Sequence, residues 1–494
     1  MADDAPTPAP PTPSEAAGAP ANVSGSAVSG SAASGSAASG SAEERAAVAG
    51  QEGARRQDRW WWRRRSVLAL LGVIAVSWVA VAGLTAGFDT YSPIDEMQHA
   101  DYVRRVLDGE VVASGNVLTF ETMADLACRN VAPPFEERFP ACGLDAYDPA
   151  DFPHQGVNTA AIHPPTYYAI VGWLGQAASG VFDVEPVLTG ARLASGVFLT
   201  LGTVLLWWLL AEFGISVLVR TGVGLALALT PLVLFQSATI NPDSTALAAG
   251  AGLLLAVVLA ERRRWPLWVP ALVAGAGIAL KSTNVIAVVA ALAYLGVRWW
   301  QQRDDREVAV RLVWTAVWTA AGTLVVALAF SAYQRSIAVV PLSDLPMMEG
   351  MRAAAFPWDL LTRSITVTPT GTAWNPAQLS RPINNVIMTA TAIGLAALAV
   401  AAVALAARRS RMRAVAVAGL VAVVATGPVF DVANYVLTTT YTPIPARYGL
   451  AAVPALAVAA AWVLDGRSIG RWAAAGVGGA TALTSLAGVL APLF

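Results

Sequence analysis

Charged residues are scarce in this sequence, which separates it from ordinary soluble domains. Of its 494 residues, 13% are charged and 56% are hydrophobic, and the mean hydropathy is +0.55. Soluble domains carry about a quarter charged residues. Apolar runs close to the length that crosses a bilayer recur along most of the chain, and they lack the alternation of an outer-membrane barrel strand. The sequence therefore predicts an all-α polytopic membrane protein.

Several functional signatures are also absent. The sequence has no Gly-rich phosphate loop and no dinucleotide-binding motif, which argues against a nucleotide-driven pump. It has no internal repeat of the kind that many transporters show. We expect membrane lipids, and no nucleic acid, among its partners.

Large apolar side chains are nearly absent from the first 50 residues, which include the stretches "PTPAPPTPSEAAGAP" and "SGSAVSGSAASGSAASGSA". Such a segment cannot bury enough surface to fold, and it lacks the charged-then-apolar order of a signal peptide. We interpret residues 1–58 as a disordered cytoplasmic tail, either solvated or a tether for a partner. Residues 59–494 form the predicted transmembrane domain.

Arginine groups indicate the orientation. The stretch "RRQDRWWWRRR" (residues 55–65) precedes the first apolar run, and arginine clusters stay cytoplasmic while tryptophan favours the interface. Further arginine groups, placed on the same side, lie at 262–264, 298–306, 408–413 and 466–471. This threading makes the protein a multi-pass cell-membrane protein with a cytoplasmic N-terminus. It places two long loops, about 88–163 and 333–384, outside.

The apolar runs predict the spans 66–86, 192–211, 217–237, 244–260, 266–280, 284–297, 309–332, 385–406, 414–430, 448–464 and 472–493. Successive spans must cross the membrane in alternating directions. The apolar stretch 165–182 fits this alternation only if it does not cross the membrane, or if it pairs with a further crossing. The predicted total is eleven to thirteen spans.

Lysine and histidine are rare in this sequence. The single lysine, Lys281, lies between two apolar stretches. A lone cation there indicates a partner or an anion site, or a side chain that reaches back to the interface. All three histidines, His99, His154 and His163, lie in or at the edge of the first outer loop.

The stretch "SPIDEMQHADYVRR" places several polar groups directly after the first predicted span. Pro93 can start a helix with Asp95 and Glu96 in its first turn, and Asp95 and His99 are then spaced to share a face. This arrangement can supply a catalytic base or, through Asp95 and Glu96, hold a divalent cation such as Mg²⁺ or Mn²⁺. The alternative is a charge pattern that complements the helix dipole.

Other polar positions on the outer side could bind a substrate. His163 precedes a Pro-Pro pair, Pro164 and Pro165, that begins a helix. Asp243 follows a predicted span and could either act chemically or cap the next helix. In "TTTYTPIPARYGLAAVPAL", Arg447 and Tyr448 stand where a span begins, and an arginine fork can hold a phosphate.

Cysteine occurs only twice, at Cys128 and Cys142, both in the first outer loop. Because the outside of the membrane is oxidising, we predict a disulfide between them.

The ordered set of motifs resembles a known superfamily. The Asp-Glu pair after the first span, "HPPTYYAIVGWL", "ALTPLVLFQSATINPD" and the lysine after a short span are similar to the GT-C membrane glycosyltransferases. These include the protein O-mannosyltransferases and the lipid A aminoarabinose transferases. "DEMQHADYVRRVLDGE" and "PARYGLAAVPAL" look closer to a bacterial multispan branch of that superfamily.

The resemblance implies a GT-C-like helix bundle that transfers a sugar from a polyprenyl-phosphate donor to an extracytoplasmic acceptor. It implies catalytic roles for the acidic residues, which map onto Asp95, with Glu96 beside it, and Asp243. His99 is the further catalytic candidate, and the predicted substrate-binding residues are His163, Lys281, Arg447 and Tyr448. The alternatives are a transporter or flippase of envelope precursors and a non-catalytic envelope-assembly protein.

Overall fold

The computed structural model describes residues 42–87, 89–93, 95–132, 139–341, 344–345, 348, 351–358, 382–441 and 445–490. The chain divides into two units, 1–61 and 62–494. Within the described residues the fold is helical, and extended backbone contributes only isolated bridges. The predicted all-α class is therefore confirmed.

Fifteen α-helices are described. They are α1 Ala42–Ala86, α2 Glu96–Leu107, α3 Phe120–Arg129, α4 Thr166–Phe182, α5 Ala191–Glu212, α6 Val217–Ala228, α7 Pro231–Ser237, α8 Ala246–Glu261, α9 Val269–Leu280, α10 Val285–Gln302, α11 Arg306–Ile337, α12 Pro382–Leu405, α13 Arg411–Thr438, α14 Val453–Asp465 and α15 Ser468–Leu490.

The helices reproduce the predicted spans. Nine helical segments in the described part of the chain are long and apolar enough to cross a membrane, and the bent pair α6 and α7 makes a tenth. Helix α9 has only 12 residues, about 18 Å at 1.5 Å per residue, against about 30 Å of hydrocarbon. It still connects the two ends of the bundle, since Arg262 before it pairs with Glu212 and Lys281 after it pairs with Asp243.

Helix α4 bears on the question, left open by the sequence, of whether the stretch 165–182 crosses the membrane. It covers the apolar stretch 165–182, is not among the candidate spans, and packs on α2 and α5. The described residues contain nine candidate spans, or ten with the bent pair, which is fewer than the expected eleven to thirteen, and the short helix α9 accounts for the eleventh predicted span. We call the end with Asp243 and Lys281 the site end, and the end with Glu261 and Arg298 the arginine-rich end.

Helix α8 forms the centre of the bundle, and all of its residues are buried. Its sequence, "ALAAGAGLLLAVVLAE", is rich in small side chains that allow close packing. A Cβ at Gly250 would lie 2.1 Å from the carbonyl oxygen of Ala451. Glycine at this position therefore lets the 3-10 turn Ala446–Ala452, which carries Arg447, approach the start of α8.

The segment between α1 and α4, which the sequence predicts as an outer loop, folds into a layer at the site end. It contains α2, α3 and short 3-10 turns, and it has its own core with α4. The buried carboxylate of Asp101 fixes this layer, because it accepts hydrogen bonds from Thr119, Thr122, Arg105 and Asn158. The predicted disulfide is present, and Cys128 and Cys142 have their Cα atoms 4.6 Å apart.

Three predicted boundaries need correction. Helix α1 begins at Ala42, within the predicted tail; the Ala, Glu and Arg content of residues 42–58 favours a helix, and residues 1–41 lie outside the described residues. Helix α11 extends to Ile337, which shortens the second outer loop. Residues 359–381 of that loop also lie outside the described residues. Pro93 is in a turn, and α2 begins only at Glu96.

We predict that Cys128 and Cys142 are oxidised in protein from intact cells. The two cysteines are 14 residues apart in the sequence, and closing a loop of about 15 residues contributes about 3 kcal/mol in the chain-entropy model. Thiol labelling without reductant should therefore find both cysteines blocked, and Cys128→Ser should lower the melting temperature to the same extent as Cys142→Ser. Free thiols in the unreduced protein would contradict the disulfide.

Candidate functional site

A cavity of about 390 Å³ at the site end brings together most of the predicted residues. Its walls come from the segment between α1 and α4, the segments that immediately precede α8, α10 and α14, the end of α13, and the described residues between α11 and α12. The predicted residues that line it are Asp95, His99, His163, Asp243, Lys281, Arg447 and Tyr448. Residues separated by more than 350 positions in the sequence therefore share one chamber.

The carboxylate of Asp243 is the centre of this arrangement. Lys281 Nζ donates to its Oδ1 at 2.5 Å, and Arg447 Nε donates to its Oδ2 at 3.0 Å. Asp243 and Lys281 are almost fully buried. Buried charges persist in an apolar interior when they are paired and hydrogen bonded, so each of these groups depends on the others for its charge.

Local backbone geometry explains why Asp243 and Lys281 face each other. Asn241, not Asp243, caps the turn Pro242–Thr245, since its side chain accepts the N–H of Asp243. The Asp243 side chain is thereby left to bind the cations, and the capping alternative is wrong. Lys281 has an extended conformation between α9 and the turn Ser282–Asn284. The helical backbone is therefore interrupted at the residue whose side chain enters the site.

Asp95 is the accessible carboxylate of the cavity. Its backbone is left-handed, with φ 55° and ψ 15°, and its side chain makes no capping hydrogen bond. Its carboxylate lies 3.5 Å from Arg447 Nη2, and its side chain is 49% exposed. A non-glycine residue in this conformation is uncommon, although Asp and Asn tolerate it better than most. The geometry directs Asp95 toward the cavity, where a substrate can reach it.

Tyr448 supports both cations of the site. Lys281 Nζ lies 4.7 Å and the guanidinium carbon of Arg447 lies 5.4 Å from the centre of its ring. Aromatic faces attract cations at such distances. The ring therefore orients the two cations toward the same side of the cavity.

Two neutral histidines form another wall. His99 Nδ1 lies 2.9 Å from the hydroxyl of Tyr168, and the His99 and His163 rings are 5.8 Å apart. Burial, reinforced by the charge of Lys281, lowers the pKa of His99 to about 3 and holds the pKa of His163 well below its usual value. The buried Nδ1 of His163 has no hydrogen-bond partner in the described structure. His99 is therefore neutral near neutral pH and can both donate and accept a hydrogen bond.

Glu96 does not belong to the cavity, which corrects its predicted catalytic role. Arg192 donates to both of its carboxylate oxygens, at 2.8 Å and 2.7 Å, and the backbone N–H groups of Ser92 and Ile240 complete the set. Glu96 and Arg192 are both buried. Adjacent residues face different surroundings because Asp95 precedes the helix and Glu96 begins it. The pair connects α2, α5 and the segment before Asp243.

The predicted metal ligands do not fit a divalent cation. Glu96 is bound by Arg192, and the Arg447 guanidinium contacts both Asp95 and Asp243. The described residues contain no group of three or more His, Cys, Asp or Glu side chains arranged around a common point. We therefore derive no step through a metal ion.

Several residues were not predicted from the sequence. Arg192, which binds Glu96 outside the cavity, stands beside an apolar run, and that isolation is a signal for a buried partner. Two further cavity residues had a sequence signal, since His154 is one of the three histidines and Asn241 lies in "ALTPLVLFQSATINPD". The cavity residues Met348, Met351, Phe430 and Asn434 come from segments with no motif of their own. Met351 reaches the site because Tyr441 donates to its carbonyl oxygen at 2.8 Å.

No protein-family model matches the chain, and no curated protein matches it significantly. Among solved structures, the chain is similar to ArnT from Cupriavidus metallidurans bound to undecaprenyl phosphate, with a TM-score of 0.42 and 17% identity. The match covers 82% of this chain but only 61% of that one.

We predict that Glu96→Gln destabilises the protein, because it leaves Arg192 buried without its counter-charge. Breaking a buried ion pair in this way costs about 3–5 kcal/mol. Asp304→Asn is the matched control, since its pair with Arg409 is exposed and such pairs contribute about 0–1 kcal/mol. Thermal unfolding of the detergent-solubilised variants measures the difference. A Glu96→Gln protein as stable as the control would contradict the structural role.

The buried histidines predict that acid destabilises the protein. The folded-state pKa of His99 is about 3, below the unfolded value of about 6.5, so the unfolded state binds the proton first as the pH falls. The contribution of neutral His99 to the free energy of unfolding is complete above about pH 6.5. It is lost as the pH falls toward 3, by about 1.4 kcal/mol for each pH unit. Unfolding measured at pH 7.5 and 5.5 should show a smaller loss for His99→Gln than for the unchanged protein. Equal losses would contradict a neutral, buried His99.

Proposed function

We propose that the protein transfers a sugar from a polyprenyl-phosphate donor to an acceptor hydroxyl in the cavity at its site end. The observation that carries this proposal is the convergence of two cations, the buried Lys281 and the partly exposed Arg447, beside one accessible carboxylate, Asp95. Glycosyl transfer needs both kinds of group, a base at the acceptor and positive charge at the leaving group.

In the proposed reaction the acceptor oxygen forms a bond to the anomeric carbon of the sugar. The bond between that carbon and the phosphate oxygen breaks, and its electron pair remains on the phosphate. Asp95 takes the acceptor proton. Lys281 and Arg447 stabilise the charge that develops on the phosphate, and fixed cations of this kind act strongly in a site that excludes water.

The neutral histidines suit the uncharged part of the donor. A sugar offers hydroxyl groups that donate and accept hydrogen bonds, and each neutral imidazole has one donor and one acceptor nitrogen. His163 Nδ1 is buried and unpartnered among the described atoms, so a sugar hydroxyl would satisfy it. His163 is therefore proposed to contact the sugar, and Tyr448 to orient the phosphate-binding cations.

The same proposal assigns the two ends of the bundle to the two sides of the membrane. Arginine clusters remain cytoplasmic, which assigns the arginine-rich end to the cytoplasm and the cavity to the extracytoplasmic side. The acceptor would then be a component of the cell envelope, and the donor would enter from the bilayer.

One observation favours a transporter or flippase instead. Helices α6 and α7 form a broken span with a bend of 66°, and broken helices carry substrate sites in many transporters. Transporter sites, however, lie near the midplane between repeated halves. The cavity here lies at one end of the bundle, and its charges match those needed for group transfer.

We predict that Asp95→Asn abolishes sugar transfer while the protein remains folded. The amide keeps the size of the side chain but cannot accept the acceptor proton, and loss of a general base lowers rates by about 10²–10⁴. The assay follows the loss of labelled sugar from polyprenyl-phosphate-linked monosaccharides in proteoliposomes. Asp304→Asn at the arginine-rich end is the matched control and should retain activity. A folded Asp95→Asn protein that transfers sugar at the unchanged rate would end the catalytic assignment.

A further inference from the structure

The two cations that the proposed function assigns to the donor phosphate are already bound to an anion of the protein itself. Lys281 Nζ and Arg447 Nε each donate to a different oxygen of Asp243, and Arg447 Nη2 also faces Asp95 at 3.5 Å. These four side chains carry two positive and two negative charges and balance one another. A phosphate that enters this cluster meets cations that have existing partners.

Arg447 is the group best placed to change partners. Its side chain is 14% exposed, whereas that of Lys281 is 2% exposed, and its guanidinium spans both carboxylates. Lysine has three N–H donors, so Lys281 can keep its bond to Asp243 and direct another donor to the phosphate. Asp243 then remains paired after Arg447 has turned away, and no buried charge is left uncompensated.

We propose that Asp243 is an internal counter-anion that competes with the donor phosphate for Arg447 and Lys281, so that donor binding is an exchange of anions. The inference rests on the proposed function, and it gives Asp243 a role other than that of a catalytic acid or base. The same exchange separates Arg447 from Asp95. Donor binding thereby releases the carboxylate that must accept the acceptor proton.

The proposed exchange and the usual roles of a site carboxylate predict opposite changes in phosphate affinity when Asp243 is removed. If Asp243 organised the phosphate site or took part in it, its removal would weaken phosphate binding. If Asp243 competes with phosphate, its removal strengthens binding. Asp95 holds the other edge of Arg447 at a longer distance and with greater exposure, so its removal should strengthen binding in the same direction but to a smaller extent.

The experiment measures the binding of farnesyl phosphate to the purified full-length protein in lipid nanodiscs, with farnesol as the probe that has the same tail and no phosphate. Asp243→Asn should lower the dissociation constant for farnesyl phosphate by about tenfold or more, since coupling between close charged groups commonly exceeds that equivalent. Asp95→Asn should lower it severalfold. Arg447→Ala should raise it, and binding of farnesol should be unchanged in every variant.

The control is Asp344→Asn, which removes a negative charge from the second outer loop. Asp344 pairs with Arg352, and both side chains are more than half exposed; neither lines the cavity. Binding should be unchanged, which separates competition at Arg447 from a general effect of net charge. Asp95→Asn also provides the test if Asp243→Asn does not fold, because Asp95 is half exposed and outside the buried pair.

The possible results separate the inference from the proposed function. Weaker binding to Asp243→Asn, or unchanged or weaker binding to Asp95→Asn, overturns the exchange while leaving a phosphate site in place. Failure of the folded, unchanged protein to prefer farnesyl phosphate over farnesol overturns both. Tighter binding to the two Asp variants, with no change in Asp344→Asn, supports the exchange.

Discussion

The geometry of the cavity depends on the interaction of one carboxylate, that of Asp243, with two cations. Asp243 lies just before α8, Lys281 lies between α9 and α10, and Arg447 lies before α14. Each charge alone would be costly in an apolar bundle, and together they compensate one another. Three distant parts of the chain are therefore joined at a single point. The cavity beside Asp243 has polar side chains on one wall and is accessible from the opposite side, as binding sites are.

A second buried pair, Glu96 and Arg192, connects the outer layer to this point. Glu96 accepts the backbone N–H of Ile240, three residues before Asp243, while its neighbour Asp95 faces the cavity. The position of Asp95 relative to Asp243 therefore depends on a pair that does not enter the site. A change at Glu96 would alter activity through stability and position, and an activity assay alone would mistake it for a catalytic residue.

Sequence reasoning could predict the members of the site because charge is so scarce here. Asp95, Asp243, Lys281 and Arg447 each stand beside an apolar run, where an ionisable side chain needs a partner or a function. The sequence could not separate Asp95 from Glu96, because the left-handed conformation that divides them is a property of the folded turn. Nor could it pair Glu96 with Arg192, 96 positions away, since nothing local specifies such a contact.

The two ends of α8 show why charge pairing alone does not make a site. At the arginine-rich end, Glu261 also binds two cations, Arg298 and Arg411, and it accepts a hydrogen bond from Tyr294. Arg298 further donates to Gln301 and to the carbonyl oxygen of Arg409, so its donors are directed at fixed partners of the protein. That network ties α8, α10 and α13 together, and such fully satisfied networks rigidify a fold. At the site end, Lys281 and Arg447 instead line a cavity beside Asp243 and Asp95, so an anion in that cavity would meet both cations directly.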